Sequence, residues 1–136
     1  MAQHSPSRWR LVIETLAATP RLMIVWALLP VLGIRRLRRL THRMRPSTAK
    51  PPAPDRLAAR VVALRRVSAR LPGCYCLARS MALSWWLSAR GVPHALRIGV
   101  RGNGRALHAH SWVEIDGVPV DDQPRNVSAF RHLTTI

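Results

Sequence analysis

The chain has 136 residues, 48% of them hydrophobic, which is enough for one compact domain and too little for a second full one. Lys and Arg number 22 against 6 Asp and Glu, so the formal net charge is +16. Such an excess can attract nucleic acid, anionic lipid or an acidic protein surface, but charge alone does not choose among these partners.

The first part of the chain is apolar and basic. Residues from Arg8 to Leu40 have a helical pattern, which we expect to break near its two prolines. The apolar run from Leu22 to Ile34 is shorter than the roughly 20 residues that a membrane-spanning helix needs. Basic residues from Arg35 to Arg39 stand where a signal peptide would carry a small-residue cleavage site. We therefore predict an N-terminal helical segment over residues 1–45, with interfacial contact with a membrane left open.

A proline-rich stretch over residues 46–54 predicts a linker, because proline disfavours helix and favours extended chain. We expect a helix after it, capped by the side chain of Asp55 and ended by a Pro-Gly pair. A second helix begins close to Cys76 and is almost wholly apolar or small up to Ala89. Residues 55–136 are predicted to form the core domain.

From Ala95 the apolar period changes from helical to the alternation of a half-buried strand. This strand ends at the turn formed by residues 102–104, and a second strand runs from Leu107 to Ile115. A third strand is expected over residues 118–122, while the tail over residues 124–136 has no readable pattern. The predicted class is α+β, with a helix packed on a small antiparallel sheet and preceded by the N-terminal helical segment.

The loop of the second hairpin decides whether Asp122 can reach His110. A two-residue loop of Asp116 and Gly117 would set Asp122 opposite Ser111, on the wrong side of the sheet. A three-residue loop that begins at Ile115 would instead pair His110 with Asp122. We predict the three-residue loop.

Cys76, His110 and Asp122 form a candidate catalytic set. A cysteine at a helix N-terminus is favoured as the thiolate, because unpaired backbone N–H groups stabilise negative charge there. His110 can take the thiol proton and later protonate the departing amine, while Asp122 holds the imidazole in the useful tautomer. This arrangement predicts acyl transfer through a thioester, with the backbone N–H of Cys76 as one oxyanion donor.

Other interpretations use the same residues. A buried cysteine is often only a small hydrophobe, and a strand histidine is commonly a packed residue. Cys74, Cys76, His108 and His110 are also a candidate zinc site, although their spacings are narrower than those of structural zinc sites. The alternative function is a basic adaptor that binds nucleic acid, membrane or partner proteins without catalysis. Two cysteines too close for a structural disulfide indicate a reducing, cytoplasmic compartment.

Several short motifs together resemble one known family. They are Cys76-Leu77-Ala78-Arg79-Ser80-Met81-Ala82-Leu83, Gly91-Val92-Pro93, Ile98-Gly99-Val100, and Ala109-His110-Ser111-Trp112-Val113-Glu114 followed by Asp116-Gly117. This combination resembles the transglutaminase-like B2 leader peptidases of lasso peptide biosynthesis. The resemblance implies a transglutaminase-like (papain-like) cysteine peptidase fold, a triad of Cys76, His110 and Asp122, and no cofactor or metal.

The resemblance also implies a substrate and partners. The reaction would be hydrolysis of a ribosomally made precursor, which separates leader from core and frees the core's amino terminus. A separate ATP-dependent cyclase would then form the macrolactam. Fused relatives carry a leader-recognition domain that the N-terminal half does not resemble, so we predict a separate B1-type leader-recognition protein. We expect the basic helical half to dock that protein, the leader or the cyclase, and we expect no nucleic acid partner.

Overall fold

The structure is a computed structural model that describes residues 6–43 and 48–135. Its helices precede and flank a small antiparallel sheet, so the predicted α+β class with an N-terminal helix is confirmed. The elements are α1 (Arg8–Arg43), α2 (Pro54–Ser68), α3 (Cys76–Ser88), β1 (Ala95–Asn103), β2 (Ala106–Ile115), β3 (Val118–Pro119), α4 (Pro124–Val127) and β4 (Arg131–Thr135).

Helix α1 does not break at its prolines. The helix continues through Pro20 and Pro30, and its kink lies at Gly33, where φ is 72°. A proline inside a helix costs about 3 kcal/mol. Here Leu22 and Val25 lie between the prolines and are fully buried, which offsets that cost. Gly33 has no Cβ and so tolerates the left-handed conformation that bends the chain.

The expectation that the apolar run from Leu22 to Ile34 is too short to cross a membrane stays a prediction, because the helix that contains this run is longer than the run itself. Helix α1 contains an 18-residue window with a mean hydropathy of 1.7, and 17% of that window is buried inside the protein. Length and composition are therefore sufficient for a membrane span, as they also are for the core helix of a globular domain.

Helix α1 packs against both α2 and α3. Ala18, Leu22 and Val25 belong to the same buried apolar cluster as residues of the other helices and the sheet, among them Ala63, Leu64, Leu83, Leu87, Leu96 and Val113. A buried ion pair joins α1 to α2, since Glu14 and Arg60 are each 2% exposed and lie 2.6 Å apart. The division into an N-terminal segment, a linker and a core remains a prediction, and residues 44–47 of that linker lie outside the described residues.

The sequence predicted the start of α3 correctly and the cap residue of α2 wrongly. Ala53 occupies the cap of α2 and Pro54 its first turn, so the prediction that Asp55 caps this helix was wrong. Proline suits this position because its missing N–H would have no partner in the first turn. Helix α3 begins at Cys76, as expected, with Tyr75 as an extended cap residue.

The sheet has the strand order β3-β2-β1-β4, and every pairing in it is antiparallel. Leu96 of β1 pairs with Val113 of β2, and both are fully buried in the cluster shared with the helices. The hydroxyl of Ser80 on α3 donates to the carbonyl of Ser111 on β2 at 3.0 Å. The helix that carries Cys76 is thereby fixed to the strand that carries His110. The tail, which had no readable pattern, forms α4 and the edge strand β4.

The predicted register of the second hairpin was wrong. Ile115 pairs with Val118 and Glu114 with Pro119, so the loop consists of Asp116 and Gly117 alone. Their φ angles of 51° and 77° are those of a type I′ turn, whose twist matches that of the flanking strands. Strand β3 ends at Pro119, Val120 still donates its backbone N–H to the carbonyl of Val113 at 2.9 Å, and the chain bends over residues 120–122.

Candidate active site

Cys76 lies at the first helical position of α3, next to His110 and Ser111 of β2. No side chain caps this helix end, and no acidic residue lies in its first turn. The backbone N–H groups of the turn therefore point toward the thiol without a competing carboxylate. Cys76 is half-buried, and both cysteines are free thiols.

His110 and Asp122 are in direct contact. The Nε2 atom of His110 lies 2.5 Å from Oδ2 of Asp122, and their side chains are 19% and 15% exposed. The other carboxylate oxygen, Oδ1, accepts the backbone N–H of Gln123 at 2.7 Å and the side-chain amide of Asn126 at 2.9 Å. The start of α4 thus fixes the carboxylate. Since Nε2 faces Asp122, Nδ1 of His110 is the ring nitrogen left for the thiol.

The neighbouring strand β2 sets the pKa of the Cys76 thiol. Burial alone would raise its pKa, but hydrogen bonds from the His110 side chain and from the side chain and backbone of Ser111 lower the pKa to about 7. The contact with Cys76 raises the pKa of His110, against the effect of burial, and Asp122 acts in the same direction. Both shifts favour a thiolate beside an imidazolium.

Asp122 is held as the carboxylate. Burial alone would raise its pKa, but hydrogen bonds from Asn126, from the backbone N–H of Gln123 and from His110 lower it. The two-residue hairpin loop therefore does not prevent the contact with His110, contrary to our expectation. The chain leaves the ladder after Val120, where the Asp121 side chain accepts the N–H of Val113, and Asp122 then contacts the histidine.

Asp121 has a different environment from its neighbour. Its side chain accepts the backbone N–H of Val113 at 2.8 Å and lies 3.0 Å from the hydroxyl of Ser80. A guanidinium N–H of Arg65 donates to its backbone carbonyl. Asp121 is 7% exposed, and burial raises its pKa. It joins α2, α3 and β2 and does not contact His110 among the interactions of the described residues.

An aromatic cluster surrounds the imidazole. The rings of Phe130 and Trp112 lie 5.1 Å and 6.0 Å from that of His110, centroid to centroid. Trp112 is 1% exposed and donates its indole N–H to Glu114 at 2.8 Å. Both rings restrict the orientations of the histidine.

Sequence reasoning missed two of these neighbours. Ser111 lies next to His110 on the strand, but the sequence predicted no role for it in the site. Phe130 lies in the tail, where no periodicity was readable. No local signal in the sequence indicates that either residue reaches the site.

Two recesses border the candidate site. A cavity of about 360 Å³ is lined by His110 and Asp122 together with Arg101, Arg125, Asn126, Ala129 and Phe130. A larger apolar groove of about 650 Å³ is bordered by Tyr75 and Leu77, the residues on either side of Cys76, and by the region of α1 around Gly33. The polar recess thus borders His110 and Asp122, and the apolar groove borders the two chain neighbours of Cys76.

The alternative zinc site is not assembled. Over residues 6–43 and 48–135 no three His, Cys, Asp or Glu side chains are grouped so that they could hold a metal ion. Cys74 and His108, the two further ligands of that alternative, are not among the contacts described for Cys76 and His110.

The comparisons with known proteins identify one family. The family model described as the Transglutaminase-like superfamily matches residues 22–135, which include Cys76, His110 and Asp122. Curated proteins and solved structures give no significant match.

Proposed function

Since the chain belongs to the Transglutaminase-like superfamily, which includes cysteine peptidases, we propose that it is a cysteine peptidase with Cys76 as nucleophile. His110 is its general acid and base, and Asp122 orients the imidazole. One observation carries the proposal: His110 lies 2.5 Å from Asp122, on a strand whose residues His110 and Ser111 lower the pKa of the Cys76 thiol to about 7. A structural cysteine has no need of a thiolate at neutral pH.

The reaction proceeds in two halves. The Cys76 thiolate attacks the carbonyl carbon of the scissile peptide bond, and the backbone N–H of Cys76 donates to the oxyanion that forms. His110 gives its proton to the departing amine, which breaks the C–N bond and leaves a thioester on sulfur. His110 then takes a proton from water, whose oxygen attacks the thioester and releases the carboxylate product. Asp122 stabilises the charged imidazole in each half.

The proposed substrate is a peptide whose scissile bond lies next to the Sγ atom of Cys76. The polar recess borders His110, and the apolar groove borders Tyr75 and Leu77, the chain neighbours of Cys76, so we expect an extended peptide bound at Cys76 to contact both. The motif resemblance narrows this class to a ribosomally made lasso peptide precursor. We propose that the enzyme removes the leader and frees the core's amino terminus for macrolactam formation by a separate cyclase.

The proposal includes partners and a compartment. A separate B1-type protein binds the leader and delivers the precursor, because nothing in the described helices resembles a small strand-containing leader-binding module. The two free thiols fit a reducing compartment, so the cytoplasm is the proposed location.

The experiment incubates the chain with precursor and leader-binding protein and follows the products by mass spectrometry. Hydrolysis adds one water across the cleaved bond, whereas transfer to an amine gives an adduct, so the two outcomes differ in mass. Cys76→Ala should abolish cleavage, and the matched variant Cys74→Ser should retain it. Processing that survives Cys76→Ala would contradict a peptidase and support the basic adaptor.

A further inference from the structure

The solvent-facing side of α1 is as apolar as its buried side. Between Trp9 and Val31 each exposed residue of the helix is apolar, and Leu16 and Val31 are 72% and 75% exposed. We call this set the apolar stripe. Its members are Trp9, Val12, Ile13, Leu16, Pro20, Met23, Ile24, Ala27, Leu28, Pro30 and Val31. At a rise of 1.5 Å per residue the stripe is about 33 Å long.

The charged residues within this span lie beside the stripe or behind it. Glu14 is buried against Arg60. Arg10 forms an ion pair with Asp55 at 2.6 Å, and Arg21 lies half-buried over the ring of Trp85. A helix that is apolar on all sides requires an apolar surrounding on all sides. The protein supplies it on one side only, so something outside the described chain covers the stripe.

Basic residues frame the stripe at both ends. Arg8 is exposed before it, and a group of exposed arginines follows the kink. This group is Arg35, Arg36, Arg39 and Arg43. The two acidic residues of the described helices, Glu14 and Asp55, are each paired with arginine. The surface around the stripe is therefore complementary to an anionic partner.

We propose that α1 binds the surface of an anionic phospholipid bilayer, with the apolar stripe in the interfacial region and the arginines at the headgroups. Lipid fits this face better than a protein partner, because a protein interface carries roughly one hydrogen bond per 100–200 Å² and the side chains of the stripe offer only the indole N–H of Trp9. The helix lies in the plane of the membrane, since Glu14 ties it to Arg60 in the protein core. A spanning orientation would separate this buried pair at a high cost.

This inference goes beyond the peptidase and does not depend on it. In the bound state the apolar groove, which shares Ala27 and Pro30 with the stripe, lies next to the lipid surface. Tyr75, which is 76% exposed, borders the same groove. The face of the protein near Cys76 is therefore held close to the bilayer.

The test measures co-sedimentation of the intact chain with phosphatidylcholine vesicles that contain or lack phosphatidylglycerol. The stripe variants are Leu16→Glu and Val31→Glu, and the control is Val118→Glu, at an exposed apolar residue of β3 outside helix α1. We expect the wild type and the control to bind the anionic vesicles. Each stripe variant should bind about tenfold or more weakly, since one large apolar side chain no longer leaves water. Binding of the wild type should decrease with salt.

Two further readouts separate the outcomes. Thermal unfolding and the alkylation rate of Cys76 should be the same in the stripe variants and the wild type, because Leu16 and Val31 touch neither the core cluster nor the candidate active site. Vesicle binding that is equal in the stripe variants and the wild type overturns the proposal. The proposal is also overturned if the stripe variants bind vesicles as the wild type does but the leader-binding protein no longer supports their cleavage of the precursor. The stripe is then a protein interface. Loss of cleavage alone bears on the peptidase and not on the stripe.

Discussion

Replacing Asp122 by asparagine tests the candidate site, because it reverses the direction of the hydrogen bond between residue 122 and Nε2 of His110. In the protein Oδ1 of Asp122 accepts two donors, the Gln123 backbone N–H and the Asn126 amide, while Oδ2 faces Nε2 of His110. An asparagine has one oxygen, which the two donors will hold, so its NH₂ group turns toward His110. An NH₂ group donates, and therefore Nε2 must accept. The ring proton then moves to Nδ1, the nitrogen that has to accept the proton of Cys76.

The size of the effect follows from this geometry. Loss of a hydrogen bond to a charged group costs about 1.5–3 kcal/mol. At 1.36 kcal/mol per decade this corresponds to a rate lower by about 10- to 150-fold. The wrong tautomer extends the loss toward about 10⁴-fold. The pKa of Cys76 should increase from about 7, because His110 no longer stabilises the thiolate as an imidazolium.

Asp121→Asn is the matched control. Ser80 has a single hydroxyl hydrogen, yet its oxygen lies 3.0 Å from both Asp121 Oδ2 and the Ser111 carbonyl. An amide at position 121 can donate to Ser80 and still accept the N–H of Val113. Burial raises the pKa of Asp121 in the folded state, so its contribution to stability is lost as the pH rises through that pKa. The asparagine variant should therefore gain stability relative to the wild type as the pH rises.

Alkylation of Cys76 by iodoacetamide, measured against pH in a Cys74→Ser background, reports on the site without any substrate. Wild type should show a midpoint near pH 7, the value to which the pKa of Cys76 is lowered. Asp122→Asn should move the midpoint upward and slow precursor cleavage, while Asp121→Asn should change neither by more than a small factor. The reasoning is refuted if Asp121→Asn lowers cleavage more than Asp122→Asn at equal folded fractions.

Two further substitutions test how the fold supports the site. Glu14→Gln leaves the charge of Arg60 buried without its partner, and urea unfolding should show a loss of about 3–5 kcal/mol; a loss below about 1 kcal/mol would contradict a buried pair. Gly99→Ala places a Cβ 2.9 Å from that of Phe130, so it should displace the aromatic cluster, slow cleavage and lower stability by about 1–3 kcal/mol. Gly104→Ala, where a Cβ meets open space, should do neither, and equal effects of the two would remove the steric explanation.

The sequence by itself determined where α3 and β1 begin and which residues are candidates for the reactive groups. Helix α3 begins at Cys76 because an extended residue and an apolar helical run meet there, and β1 begins at Ala95, where the period changes. These signals depend on hydrogen bonds and side-chain spacing within a few residues, so they are readable without the fold. The α+β class followed from the order of such elements.

Tertiary structure decided how these groups meet. Pro20 remains inside a helix because packing against α2 and α3 offsets its local cost. Asp122 reaches His110 because β3 ends at Pro119, and Phe130 reaches the same ring because the tail folds back along β1. Each of these contacts joins segments distant in the chain or depends on where a strand stops. The free energy that stabilises these contacts therefore comes from burial and strand pairing between distant segments. No local sequence pattern predicts it.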